Sequence, residues 1–386
     1  MSERERFGIE AAYYFYATGE LEKAAQTLEL LHQTYPRDAL AYPLVGFVSS
    51  ALGNWEEALG EFREALRRNP SNVDSYVALG WGYTVLNRLD EAEAVINQAE
   101  ERKLESEVLL EIRYWLAFLH GDAAQMTDLV SAAMGKPGAE DLMLAAQADT
   151  EGWYGKLKNA HELTGRAMAS ARRRDAKEAA AAYQAAAALR DVESGNRGQA
   201  RAEAQVALKL APSCDVRVMA ALALARAGDT GGAEGLAAEL EKTFPLNTLV
   251  QRYWLPTIRA AVALESQDLK RAIDLLKVAS TIELSGLTGD LAIFMSPPYV
   301  RGEAYLMLHN GNAAAVEFQK FIDHRGLVVN FPWGALARLG LARAYALQGD
   351  AAKVRAAYQD FLTLWKDADP DISILKEAKA EYAKLQ

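Results

Sequence analysis

Apolar residues recur along the chain at helical spacing, in segments parted by short breaks, and the breaks keep a fixed period. Gly19, Gly53, Asn87, Gly121 and Gly155 stand 34 residues apart, each ending one such segment and preceding the next. A helix, a turn and a second helix in every period is the structure this rhythm predicts. Five residues beyond the turns come Ala24, Ala58 and Ala92, then Met126, then Ala160. Two paired helices approach most closely there, so a small side chain is favoured. Seventeen residues beyond the turns come Pro36 and Pro70, then Leu104 and Gly138. Proline at that place ends the second helix, because it lacks a backbone donor and clashes with the preceding turn.

After Gly155 the metre slips while the pattern persists. Gly195 is followed by Ala200 and Pro212, Gly228 by Ala233 and Pro245, and Gln267 by Ala272; later turns fall between His309 and Asn312 and at Gly349. Ten helical hairpins result. Beyond them, residues 372–386 place Leu375, Ala378, Tyr382 and Leu385 at spacings of three and four, an amphipathic helix suited to cap the open end of an array. Two stretches bend the pattern. The alanine-rich run 171–190 predicts an extended first helix, and residues 285–298, with two glycines and Pro297-Pro298, predict a long connection. The expected division is a regular part over 1–160, irregular repeats over 161–284, and a long loop, the last two hairpins and the cap over 285–386.

Composition narrows the function. The 386 residues are 51% hydrophobic and 24% charged, which excludes disorder and collagen, and no uninterrupted apolar stretch is long enough to span a bilayer. Nor does the N-terminus carry the basic and apolar segments of a signal peptide. The 52 acidic residues outnumber the 42 basic ones, so a nucleic-acid backbone meets net repulsion. The one basic cluster, Arg172 to Arg174 with Arg166 before it, reads as a solvated helix end. A single cysteine, Cys214, excludes an intrachain disulfide and stands without a partner base. The five histidines are scattered, no pair showing metal-ligand spacing on one helix. No catalytic, cofactor or metal residues are expected.

These spacings, with "NWEEALGEFREALRRNPSNVDSYVALGWGYTVLNRLDEAEAVINQA" from Asn54 to Ala99, resemble tetratricopeptide repeats. The resemblance implies an all-α, right-handed solenoid with a concave inner face. A narrower resemblance runs through "YVRGEAYL" from Tyr299, "AVEFQKFIDHRG" from Ala315 and "GLARAYALQGDAAKVRAAYQDF" from Gly340, which look like the tetratricopeptide region closing many acidobacterial serine/threonine kinases. It implies a regulatory or recruiting role beside a signalling enzyme. The kinase motifs themselves are missing: "DHRG" at 323–326 has glycine where a catalytic aspartate would stand.

Six residues before each of the first four turns stand Tyr13, Phe47, Trp81 and Trp115; Tyr16 and Phe118 lie one turn further along the same face, and the stripe stops at Asp149. In the family this offset faces the concave surface. The rings either fill space between neighbouring first helices or form an apolar strip in the groove. Because Val45, Leu79, Gly46, Gly80, Leu52 and Leu86 already occupy the conventional packing positions, the strip is the reading adopted. The positions that would clamp a carboxylate read Ile9, Pro43, Val77 and Ala78, which removes that specificity. The expectation is a non-catalytic scaffold binding a protein or peptide in its concave groove. An enzyme with a site near the 285–300 loop and a self-associating structural module remain as alternatives.

Overall fold

The computed structural model describes residues 2–35, 41–286 and 294–385. Among them there is helix and no strand. The first hairpin pairs α1 (Glu3–Ala12), prolonged by a π-helical turn over Tyr13–Thr18, with α2 (Leu21–Thr34). Then come α3 (Ala41–Ala51) with α4 (Trp55–Arg68), α5 (Val73–Val85) with α6 (Leu89–Glu101), and α7 (Glu107–His120) with α8 (Ala123–Ala133). The middle pairs are α9 (Ala139–Trp153) with α10 (Leu157–Arg173), α11 (Lys177–Glu193) with α12 (Arg197–Leu210), and α13 (Cys214–Arg226) with α14 (Thr230–Thr243). The last are α15 (Leu255–Glu265) with α16 (Leu269–Leu276), α17 (Ser296–Met307) with α18 (Gly311–Asp323), and, after the one-turn α19 (Arg325–Val328), α20 (Trp333–Gln348) with α21 (Ala351–Leu364). Helix α22 (Ser373–Ala383) closes the series. Ten hairpins and a terminal helix form a tetratricopeptide-type right-handed solenoid.

The periodic positions behave as the spacing requires. Ala24, Ala58, Ala92, Ala160, Ala200, Ala233 and Ala272 are all buried. Pro70, Pro212 and Pro245 follow the ends of α4, α12 and α14; Pro36 lies outside the described residues. The exception is Met126, on α8, where the larger side chain is only half-buried and Ala133 is the one buried residue of the helix. First helices form the inner layer. On α13 nearly every residue from Val216 to Ala225 is buried, whereas α14 behind it buries only Ala233, Ala237 and Leu240. The alanine run belongs to two helices: α10 ends at Arg173, Asp175 turns the chain with φ of 61°, and α11 continues for 17 residues with most of its alanines buried. Arg173 and Arg174 pair with Glu140 at 3.0 Å and Asp141 at 2.8 Å, so half of the basic cluster is neutralised within the fold.

The superhelix comes round upon itself. At the first turn, Thr248 N–H donates to the Gly19 carbonyl at 2.9 Å, and Thr248 Oγ1 accepts from Leu21 N–H at 3.1 Å. At the second, Trp55 Nε1 donates to the Leu284 carbonyl at 2.8 Å. At the third, Asn87 Nδ2 donates to the Asp323 carbonyl at 2.7 Å while its Oδ1 accepts from Gly326 N–H at 2.9 Å. The seam steps over the fourth turn, where Gly121 has open space, and resumes at the fifth: Asp369 N–H donates to Gly155 O at 2.9 Å and Trp365 Nε1 to Trp153 O at 2.8 Å. Hairpin turns one, two and three thus dock on the connections that precede hairpins eight, nine and ten. Two glycines make the approach possible. A Cβ on Gly155, whose φ is +70°, would stand 2.7 Å from Ala368 Cβ, and one on Gly326 would stand 1.8 Å from the Thr84 carbonyl oxygen.

A buried ionic cluster ties the inner layer across this closure. Arg226 pairs with Glu193 at 2.6 Å and with Glu303 at 2.8 Å, and lies 5.6 Å above the Tyr299 ring, which in turn stacks on Trp333. Helices α11, α13, α17 and α20 meet there. No described helix is long and apolar enough to cross a membrane.

Candidate binding groove

Closure of the superhelix changes what the concave face offers. Tyr13 and Tyr16, on the π-helical prolongation of α1, are 56% and 71% exposed, and Ile9 one turn earlier is 59% exposed. Phe47 is half-buried; it stacks on Phe15 at 6.5 Å and meets Phe62 edge-on at 5.2 Å. Phe118 is half-buried against Trp153. Trp81 and Trp115, by contrast, are only 2% and 7% exposed, which corrects the expectation of an open strip at those two positions. They pack on each other at 5.1 Å, and Phe294, from the long connection, lies 5.8 Å from Trp81. The chain covers this part of its own groove. Residues 287–293, at the centre of the loop expected over 285–298, lie outside the described residues; its flanks serve packing, with Gly286 meeting Ser50 and Pro297-Pro298 opening α17.

What remains is a cavity of about 320 Å³ lined by Phe47, Trp81, Trp115, Met219, Phe294 and Phe331 on its apolar side. A ladder of ring contacts leads to it from the surface, Tyr16 on Phe15 at 4.8 Å and Phe15 on Phe47. The Trp81 indole N–H is buried with no acceptor among the described residues. The opposite wall is polar. Asp149, where the aromatic stripe stops, is buried and paired with Arg190, whose Nη2 also donates to Thr164 Oγ1 at 2.6 Å. Burial pushes the Asp149 carboxyl above the usual range, and Arg190 opposes the shift. Tyr183 also lines the cavity and donates to Asp141 at 3.0 Å. Asn330 secures the neighbouring inner helix, its Nδ2 donating to the Ala146 carbonyl at 2.7 Å and to Thr150 Oγ1 at 3.0 Å. An apolar group with one polar end fits this arrangement. Cys214, at the first position of α13, has its thiol pushed up to about 12 by burial and is a poor nucleophile.

A second constellation escaped the sequence reading. His161 on α10, Asp191 on α11 and Glu203 on α12 converge, His161 Nε2 lying 2.6 Å from Asp191 Oδ2 and 3.7 Å from Glu203 Oε1. The hydrogen bond to Asp191 holds the His161 pKa above its ordinary value. Burial, together with the facing Asp191, raises Glu203 to about 8. Asp191 is pushed up by burial, yet its bonds with His161, Glu203 and Asn196 leave it below the usual range. The partners are one helix apart each, so no single-helix motif announces them; only folding of two hairpins brings them together.

Among known proteins, the family model of the tetratricopeptide repeat matches residues 50–104. No curated protein matches the chain at a significant level. Similar solved structures include yeast Tom70, at 12% identity and TM-score 0.41 over 99% of this chain and 95% of that one. The tetratricopeptide domain of P58(IPK) is 14% identical, at TM-score 0.28 over 100% and 98%. A tetratricopeptide repeat protein from Parabacteroides merdae is 16% identical, at TM-score 0.29 over 89% and 100%. The matched repeat and the ten stacked hairpins around it identify the fold as a tetratricopeptide repeat solenoid.

Proposed function

We propose that the chain is a non-catalytic interaction scaffold that takes an apolar or amphipathic segment of a partner protein at the N-terminal end of its concave face. Tetratricopeptide folds generally mediate protein–protein contacts. The observation that carries the present reading is the pair Tyr13 and Tyr16, exposed beside Ile9 at the head of the ring ladder that runs through Phe15 and Phe47 to the cavity. Exposed aromatic side chains on a rigid frame are the usual anchors of an interface. The partner segment lies along this ridge and sets one apolar side chain toward Phe47. A recruiting or regulatory role beside a signalling kinase is the finer reading, and it rests on the sequence resemblance of the C-terminal third.

The test separates anchors from core. Changing Tyr13→Ser together with Tyr16→Ser should leave helical content and melting unchanged while a photo-crosslinker at position 16 of the otherwise native chain identifies the partner whose capture the double variant loses. Trp81→Ala with Trp115→Ala should instead unfold or soften the protein, each buried ring costing about 3–5 kcal/mol. Capture undiminished by loss of both tyrosines would overturn the proposal.

A further inference from the structure

The constellation on α10, α11 and α12 has the composition of a metal site. His161, Asp191 and Glu203 each offer one ligand atom, and these atoms all lie within 4.8 Å of one another. Asp191 is fully buried and Glu203 is 7% exposed, so two carboxylates face each other out of water with one imidazole between them. The nearest guanidinium, Arg190, is committed to Asp149 and Thr164. When both carboxylates are ionised, Glu203 Oε2 is buried with no hydrogen-bond donor among the described residues. A buried charge of that kind calls for a cation, and the choice lies between a proton shared by the carboxylates and a metal ion.

Three features favour the metal. The carboxylates are held by outer hydrogen bonds, Asn196 Nδ2 donating to Asp191 Oδ1 at 3.0 Å and Gln199 Nε2 to Glu203 Oε1 at 3.1 Å, the kind of support that fixes ligand orientation. The imidazole is half-exposed, which leaves the ion a path from solvent. The separation of 3.7 Å between His161 Nε2 and Glu203 Oε1 is near what two ligands on one ion require at about 2.0–2.2 Å each, and only the short contact to Asp191 must open. One nitrogen with two carboxylate oxygens suits zinc and its transition-metal neighbours better than calcium or magnesium, which take oxygen alone.

We propose that His161, Asp191 and Glu203 bind a divalent transition-metal ion, zinc foremost, which fastens hairpins five and six together. The ion spans three consecutive helices beside the turn at Gly195, on which Ser373 of α22 rests. It therefore stiffens the point where the terminal helix meets the preceding superhelical turn.

The full-length chain, stripped with chelator, is titrated calorimetrically with zinc chloride and, in parallel, with cobalt(II) followed by visible absorption. One equivalent should bind saturably at micromolar zinc, with cobalt bands appearing to the same stoichiometry. Glu203→Gln and His161→Gln should each weaken binding about tenfold or more, and zinc should raise their melting midpoints less than it raises the parent's. Absence of saturable zinc binding up to millimolar concentration means that the cluster holds a proton only, and overturns the proposal. Parental affinity in both variants places the ion elsewhere and overturns it equally. Should either variant fail to fold, the cobalt stoichiometry of the parent chain decides alone.

Discussion

Gly326→Ala offers a test in which the seam reverses the sign of a familiar substitution. In an ordinary helix the change gains up to about 1 kcal/mol, because alanine has the better propensity. Here the new Cβ would stand 1.8 Å from the Thr84 carbonyl oxygen and 2.8 Å from its carbon, both backbone atoms that no rotamer can move aside. Relief demands that α19 withdraw from the third turn. That costs about 1–3 kcal/mol of overpacking or displacement. It also lengthens the two Asn87 bonds to Asp323 and Gly326, worth about 0.5–1.5 kcal/mol each. Set against the propensity gain of about 1 kcal/mol, the net loss is about 1–5 kcal/mol. With about 2 cal/mol/K of unfolding entropy per residue, a chain of this length shifts its melting midpoint by about 1.2 °C per kcal/mol if it melts as one unit, so a fall of about 1–6 °C is expected in scanning calorimetry. Gly60→Ala and Gly165→Ala supply the control. Both lie on exposed outer helix faces with nothing within 4 Å of the added carbon, and should raise the midpoint slightly. If Gly326→Ala melts at or above the parent, the turns are not docked and the closure is wrong.

Removal of residues 372–386 should lower stability and provoke aggregation, read by melting and light scattering: it strips the buried Ile372 and Leu375, about 1.5–3 kcal/mol each, and uncovers Tyr358 and Phe361. Arg226→Met should cost about 3–5 kcal/mol in chemical denaturation, because it strands the buried Glu193 carboxylate and leaves the partly buried Glu303 without its partner. Burial raises the Glu193 pKa in the fold, so its folded form holds a proton more tightly than its unfolded form. Arg226 opposes that rise, so its loss raises the Glu193 pKa further; the deficit of the variant should therefore shrink as pH falls and the carboxyl is protonated in both proteins, and grow as pH rises, and a deficit independent of pH would refute the assignment.

The parts of the fold legible in the sequence are those decided within about one hairpin. Turn residues, the small side chains at Ala58 and Ala92 and the helix-ending Pro70 all act across a few residues of chain, so their spacing alone revealed the hairpins. Even the exception at Met126 was visible, and the poorly buried α8 is its structural counterpart. The fate of the aromatic stripe was not legible. Whether Trp81 faces solvent depends on where Phe294 arrives, more than two hundred residues later, and that follows from small rotations accumulated over six hairpins together with the lengths of the irregular connections. The same holds for His161, whose partners come from the next two helices rather than its own. Asn87 carried a sign that could have been used. A turn that elsewhere has glycine, filled by a residue that tolerates positive φ and also carries a donor and an acceptor, points to a contact beyond its own hairpin.

An open solenoid is nearly one-dimensional: each repeat touches only its neighbours, stabilities add along the chain, and either end can fray alone. The seam abolishes that independence. With Leu21 bonded to Thr248 across 227 residues, the first hairpin cannot detach without freeing the connection before the eighth, and loss of the last hairpins unseats the turns of the third and the fifth. Contact order rises accordingly, so the chain folds more slowly than an unclosed array of equal length and melts with the cooperativity of a globule. Tension applied to the first hairpin is then borne directly by the connection before the eighth, with no need to pass through the six hairpins between.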